Sequence, residues 1–383
     1  GLSFVYSVLI LGLITIVYDV LGGIKAIIYS DIIQMIILTV VLIFILFYLT
    51  SIFGGFRSMF NYFPDQRNVN LNFFEHGLGD GKEFAFWPML IGGFFLYMSY
   101  YGCDQSQMQK ALCAKNQNEG QKVFFLNGIF RFPLVLLYCL IGVGIGSYSQ
   151  INADFISSLP KQDGIPNFNL AVPIFLIDNL PIGIVGLTLV ALFSAAMSSL
   201  DSVLNSLSAV TMEDFVKRIK TFRYLSEKNN LFISRVITLF WGSLAIILAF
   251  YVEDISSNVL IAINKIGSLI NGPIIGVFTL GILTKKINGN SACIGIICGF
   301  LFNLYCWVYL VNVSWLWWNA IGFVVTLKIA IVHDFFFSNF QANETFVWSL
   351  KSFKKLNFNN TWKSRYIFLF IWFILIFSLI YFF

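Results

Sequence analysis

An all-α protein that threads a membrane about ten times is the architecture predicted here, and three observations carry it. Apolar residues fill 58% of the 383 positions and charged residues only 11%, with a mean hydropathy of +0.81, far from the balance of a soluble domain. Ten stretches approach the ~20 mostly apolar residues that a helix needs to cross hydrocarbon. The basic residues, finally, sort by connecting segment. A soluble, apolar-cored enzyme would instead need many amphipathic helices, and few are visible.

The ten stretches are 2–18, 24–53, 84–101, 122–148, 181–208, 231–252, 257–283, 290–311, 314–332 and 366–383. The first two are separated only by Gly22–Gly23–Ile24–Lys25, where paired glycines permit a tight reversal. A polar loop at 54–83 carries Gly54–Gly55 and Pro64. A second loop at 149–180 carries Pro160, Pro166 and Pro173, and its apolar run Leu170–Ile177 predicts a short helix on the membrane surface. The stretch 333–365, rich in Asn, Phe and Lys, reads as a connector before the last span. Trp315, Trp317 and Trp318 stand at a span end, as interfacial aromatics do. The chain opens at Gly1 directly into a span, without initiator Met, basic leader or cleavage pattern, so either a cut N-terminus or a fragment is expected.

Charge supplies topology. Lys25, the 102–122 and 211–235 loops, Lys285–Lys286 and 328–365 together hold 18 of the 24 Lys and Arg. The opposite face holds Arg57, Arg67, Lys82 and Lys161, while Arg131 and Lys265 lie inside apolar stretches. The positive-inside rule makes the first face cytoplasmic. The net charge of +5 therefore belongs to membrane topology and does not indicate a nucleic-acid partner. Six cysteines without a CxxC pair, and two distant histidines (His76, His333), argue against a disulfide framework, a zinc site or a metalloenzyme.

The chemistry concentrates in Ala191–Arg218. Ser194, Ser198, Ser202 and Ser206 recur every four residues and form one helical stripe, widened by Ser199 and Asp201. Such a stripe suits close packing against a neighbouring helix. The carboxylate adds a second reading, because a charge at mid-membrane costs ~2.5–3.5 kcal/mol even on the lenient insertion scale. A hard cation held by hydroxyls, carbonyls and a carboxylate offsets that cost. Asp31, just past Gly22–Gly23, is a further acid within a span; its alternative role is an interfacial acid paired with Lys25.

The runs GGIKAIIYSDIIQ (Gly22–Gln34), YYGCDQSQMQKALCAKN (Tyr100–Asn116) and AAMSSLDSVLNSLSAVTMEDF (Ala195–Phe215) resemble the sodium/solute symporter family. That family includes sodium-coupled carriers of sugars, proline, sialic acid, iodide, vitamins and monocarboxylates. The runs occur in family order, and INKIGSLINGPIIGVFTLGILTKK (Ile263–Lys286) and SWLWWNAIGF (Ser314–Phe323) extend the likeness over nearly the whole chain. The resemblance implies an inverted-repeat, five-plus-five helix secondary-transporter fold. It makes 1–53 the last two helices of the first repeat, 54–83 an outer loop and 84–283 the second repeat. Residues 284–383 become trailing membrane helices, with the cytoplasmic linker 333–365 among them.

The same resemblance implies the site. A principal sodium site falls on the Ala195 carbonyl and the Ser198 and Ser199 hydroxyls. A second sodium site, present in some members, falls on Asp31, Ser198 and Ser202, with Asp201 where such members carry Ser. Tyr100 falls at an aromatic gate beneath the substrate, and Arg131 where sugar carriers have a membrane-facing Lys. Asp104 could pair with Arg131 or remain an exposed helix-end acid. Lys265 replaces a sugar-binding Gln; it either faces an anionic solute or forms a structural ion pair. The expected function is sodium-coupled uptake of a small polar or anionic solute by alternating access. The expected partners are that solute, Na+ and the bilayer, in a multi-pass protein of the plasma membrane (the inner membrane, if bacterial). The alternative is a sensory module of the same fold without net transport. No bond is made or broken in either reading, so no enzyme is expected.

Overall fold

In a computed structural model the chain is described at residues 4–64, 72–162, 164–222, 224–250, 259–285, 287–337 and 360–382. The helices are α1 (Phe4–Ile52), α2 (Phe56–Asn61), α3 (Gly93–Gly102), α4 (Gln105–Leu112), α5 (Gln117–Ile151), α6 (Ala153–Ser158) and α7 (Ala171–Asn179). They continue with α8 (Ile182–Val210), α9 (Glu227–Ala249), α10 (Val259–Leu283), α11 (Gly289–Tyr309), α12 (Trp317–Phe337) and α13 (Asn360–Phe382). Among the described residues, eight helices are long and apolar enough to cross a membrane. The first carries two passes, and a π-helical turn at Pro88–Gly92 running into α3 supplies another, so ten spans are accounted for. The chain packs as two compact units, Gly1–Val69 with Cys113–Asn258, and Asn70–Leu112 with Val259–Phe383.

In the first unit α1 is interrupted at Gly23, whose backbone is left-handed (φ 57°). Only glycine adopts that conformation without a side-chain penalty. Tyr18 before the break and Asp31 after it both bond to the same stretch of α8, at Asp201 and Ser198. An unbroken helix would hold positions 18 and 31 about 20 Å apart, so the chain must reverse at Gly23. The first limb packs on α9 through mutual small-residue contacts: a Cβ at Gly12 would strike Ile246, and one at Gly242 would strike Ile16. The second limb packs on α5, where Leu49 is fully buried and Val41, Ile45, Ile141 and Ile145 nearly so. At one end of this core, Ser147 Oγ donates to the Met59 carbonyl at 2.7 Å and Tyr148 to Asn179 Oδ1 at 2.9 Å.

The short helix expected at Leu170–Ile177 is α7, Ala171–Asn179, with Phe175 and Leu176 buried in the core of this unit. The loop before it departs from an all-helical reading in one small respect. Lys161–Gln162 and Ile165–Pro166 form a two-residue antiparallel ladder, with Lys161 opposite Pro166 and Gln162 opposite Ile165. Gly164, at φ 79°, makes the tight turn possible.

The second unit is built on backbone proximity. A Cβ at Gly272 would fall on the Asn319 carbonyl, one at Gly295 on the Thr326 carbonyl, and one at Gly92 on the Leu316 carbonyl. Close approach of this kind is how helices associate where lipid removes the hydrophobic drive. Pro273 within α10 has no N–H for the carbonyl of Leu269, four residues earlier. Asn303 of α11, fully buried, donates its Nδ2 to that carbonyl at 2.9 Å. Asn319 of α12 donates to Ser268 Oγ at 3.0 Å in the same layer. The helix α12 runs on to Phe337 and α13 starts at Asn360, so both ends of the expected connector 333–365 are helical. Its centre, 338–359, lies outside the described residues, as do Arg67, Lys286 and 251–258. Phe370, Ile371 and Phe373 of α13 are exposed side chains suited to lipid contact.

Asn303 is the sharpest test of this packing. Asn303→Leu should leave the Leu269 carbonyl without its partner and lower stability by ~1–2 kcal/mol. Thermal unfolding in detergent reads that loss; an unchanged midpoint would show that the bond contributes nothing.

Candidate cation site and outer loop

The serine stripe lies along α8, and its hydroxyls turn back onto their own helix. Ser199 donates to the Ala195 carbonyl at 3.3 Å, Ser202 to the Ser198 carbonyl at 2.9 Å and Ser206 to the Ser202 carbonyl at 2.7 Å. Back-bonding of this kind satisfies each O–H while leaving oxygen lone pairs outward. Ser194, Ser202 and Ser206 are buried, Ala195 and Ser198 are half-buried, and Ser199 is exposed.

The hairpin of α1 adds the acids. Asp31 accepts a short hydrogen bond from Ser198 Oγ. Asp201 is fully buried; its Oδ2 accepts from Tyr18 at 2.7 Å, and its Oδ1 lies 3.2 Å from Ser202 Oγ, whose single proton it shares with the Ser198 carbonyl. Asp31, Ser198, Ser202 and Asp201 are thus brought into one oxygen-rich cluster, with Ala195 and Ser199 one turn along the same helix. No sequence motif singled out Tyr18, Asp19 or Gln34, yet all three belong here. Asp19 lies within electrostatic reach of Asp201 and Asp31, and Gln34 lies close enough to act on Tyr18. The usable signal was an acid three residues before the Gly22–Gly23 reversal, because a hairpin folds it back towards Asp31.

The remaining predicted positions lie elsewhere. Tyr100, at the end of α3, accepts from Gln107 Nε2 at 2.9 Å and meets Tyr101 edge-on at 5.0 Å. Asp104 caps α4, accepting from the Ser106 amide at 2.8 Å. Arg131 is exposed on α5, in the other compact unit from Asp104. Lys265 of α10 forms an ion pair with Glu83 at 2.6 Å, with both side chains partly exposed.

Glu83 ends a loop stapled onto the α11–α12 connection. The Ser314 amide donates to the Gly77 carbonyl at 2.8 Å, Ser314 Oγ to the Glu83 carbonyl at 2.6 Å, and Trp317 Nε1 to the His76 carbonyl at 2.8 Å. Asp80 organises the turn by accepting from the amides of His76 (2.9 Å), Gly77 (3.0 Å) and Lys82 (3.1 Å). Desolvation pushes the Asp80 carboxyl up, but these three N–H donors outweigh it and hold it down at about 2, helped by His76.

The class follows from fold and site: a polytopic helical membrane protein with a hydroxyl- and carboxylate-rich cluster inside its spans. The family model described as "Sodium:solute symporter family" matches residues 1–299, and the chain belongs to that family. It is 29% identical over 301 residues to sodium-coupled monocarboxylate transporter 1 of Homo sapiens, covering 78% of this chain and 48% of the relative. It is 27% identical over 337 residues to the sodium/sialic acid symporter NanT of Aliivibrio fischeri, covering 85% and 62%. Its fold is similar to the solved outward-open structure of a Na+-coupled sialic acid symporter, with a TM-score of 0.74 and 22% identity over 90% of this chain and 69% of that one. The chain spans about half the length of the first of these relatives.

The depressed Asp80 carboxyl fixes a pH dependence. Its folded value lies below the ordinary one of 3.8, so the loop's stabilisation is complete above about pH 4 and is lost as pH falls through about 2. Hydrogen exchange of the His76, Gly77 and Lys82 amides, relative to intrinsic rates, should show protection at pH 5 that disappears in Asp80→Asn. Equal protection in the variant would remove Asp80 from this role.

Proposed function

We propose that the protein uses a sodium gradient to drive uptake of a small anionic solute across the plasma membrane by alternating access. The observation that carries this reading is the meeting of the Asp31 carboxylate with the Ser198 hydroxyl, inside spans that are otherwise apolar. A half-buried acid beside outward-facing hydroxyl lone pairs offers hard oxygen ligands to an alkali ion. In this reading the Ala195 carbonyl, Ser198 and Ser199 hold the principal ion, and Asp31, Ser198 and Ser202 hold a second. In the same reading 1–53 are the last two helices of the first inverted repeat and 84–283 form the second, and motion between the repeats gives alternating access. Relatives named for monocarboxylate, multivitamin and sialic acid transport support both the sodium coupling and a carboxylate cargo.

The ion assignment is tested in the full-length protein. Ser199→Ala should raise the sodium concentration for half-maximal uptake by roughly tenfold, since ~1.4 kcal/mol is a factor of ten. Unchanged sodium dependence would sink the assignment.

Lys265 is the proposed handle on the solute, with Tyr100, Asp104 and Arg131 as further candidates. Its ammonium already has a carboxylate partner in Glu83, so an anionic solute would exchange one carboxylate for another. Lys265→Gln should abolish competition by small carboxylates while leaving sodium binding intact, and Glu83→Gln should strengthen that competition. If both variants instead lower thermal stability equally and only neutral sugars compete, the pair is structural and the cargo is not an anion.

A further inference from the structure

The first unit holds a cavity that the cation reading leaves unused. It measures about 410 Å³ and lies between the last turns of α5, the helices α6 and α7, and Phe63–Pro64 beyond α2. That volume falls within the roughly 300–1,000 Å³ of small-molecule sites. Among the described residues, its lining shares none with the oxygen cluster of α1 and α8.

On α5 the wall is largely bare backbone. A Cβ at Gly142 would meet nothing within 4 Å, and one at Gly146, a turn later, would meet only the Phe63 ring, at 3.1 Å. Two glycines four residues apart lie on one helix face, so this face of α5 contributes space rather than side chains. The floor belongs to the core of the unit, where Ile145, Phe155 and Leu159 are buried. The mouth is apolar as well: Phe168 and Val172 line the cavity yet are 56% and 41% exposed. Exposed apolar side chains beside an apolar cavity suit a ligand that arrives from lipid.

The polar side chains of the described lining stand together at one end. The helix α5 leaves its apolar stretch at 148, and Ser149 and Gln150 follow directly. Ser149 gives its proton to the Gly146 carbonyl at 2.6 Å. Gln150 is exposed, and its amide carries two N–H groups, only one of which is directed at Ser149 Oγ, 3.5 Å away. No described lining residue is charged. A carboxylate placed at this end would meet no cation, whereas an ester carbonyl needs only an N–H donor, which Gln150 has.

We propose that this cavity is a lipid site, taking one acyl chain of a bilayer glycerophospholipid. The chain runs along Gly142 and Gly146, and its ester carbonyl accepts from Gln150 Nε2. An occupied cavity ties α6 and α7 to α5 through apolar contact.

The test maps where a lipid chain sits. Full-length protein in nanodiscs is photolabelled with a phosphatidylcholine carrying a mid-chain diazirine, and the inserted positions are read by peptide mass spectrometry. Insertion at 155–159 and 168–172 should exceed that on the lipid-exposed helix α13. Gly142→Leu fills the space and should cut insertion at those two segments several-fold, with α13 unchanged. The matching diazirine fatty acid should label the same segments several-fold less than the phospholipid does, and Gln150→Ala should bring the phospholipid down towards that level. Labelling no denser than on α13, or unchanged in Gly142→Leu, overturns the site and leaves only the general lipid surface. Equal labelling by the free acid, or no effect of Gln150→Ala, overturns the ester contact and with it the choice of a phospholipid. Should Gly142→Leu fail to fold, Val172→Trp takes its place, since Val172 is exposed at the mouth. It should block insertion at 155–159 in the same way, and wild-type insertion there would overturn the proposal.

Discussion

A carboxylate inside a membrane must find a partner, and most of what is distinctive in this molecule follows from that demand. Asp31 and Asp201 meet it by taking hydroxyl donors from α8 and α1. Those contacts require that residues on either side of Gly23 reach the same turns of α8, which in turn requires the left-handed glycine. Removing the reversal would leave at least one acid in hydrocarbon without a donor. The polar site and the shape of the first unit are therefore one constraint rather than two.

The second unit obeys the same rule for backbone groups. Pro273 withdraws a donor from its own helix, and the freed Leu269 carbonyl is met by Asn303 from α11. That bond is possible only because Gly299 and Gly322 let α11 and α12 come within reach of α10; a Cβ at Gly322 would fall on the Asn303 amide. Small residues and buried amides act together, proximity supplying dispersion contacts and the amide supplying the missing donor. Apolar side chains such as those of α13 are left to face lipid, where they need no partner.

Lys265 shows how the same cost can be met near the surface. Its partner Glu83 comes from a loop rather than a helix, and that loop is held by backbone bonds to the α11–α12 connection and by the Asp80 turn. The ion pair stays partly exposed. Pairs in this position contribute little to stability by themselves, which leaves the ammonium open to exchange with another carboxylate.

Composition and hydropathy by themselves determined the membrane class and the apolar spans, because the cost of polar groups in hydrocarbon is written residue by residue. The four-residue repeat of serines located the polar face of α8 for the same reason: helix periodicity is local. Which acids share that face was not local. Asp31 could be read as an interfacial acid beside Lys25, Asp201 stood where members with a second sodium site carry Ser, and Tyr18 and Asp19 lay outside every motif. Likewise Lys265 had an acid to find, and nothing in its own span pointed to Glu83, 182 positions earlier. Only the tertiary structure decided these pairings, because the reversal at Gly23 and the glycine-lined approach of the helices set which distant oxygens and nitrogens come within 3 Å, and no periodicity along the chain records that distance.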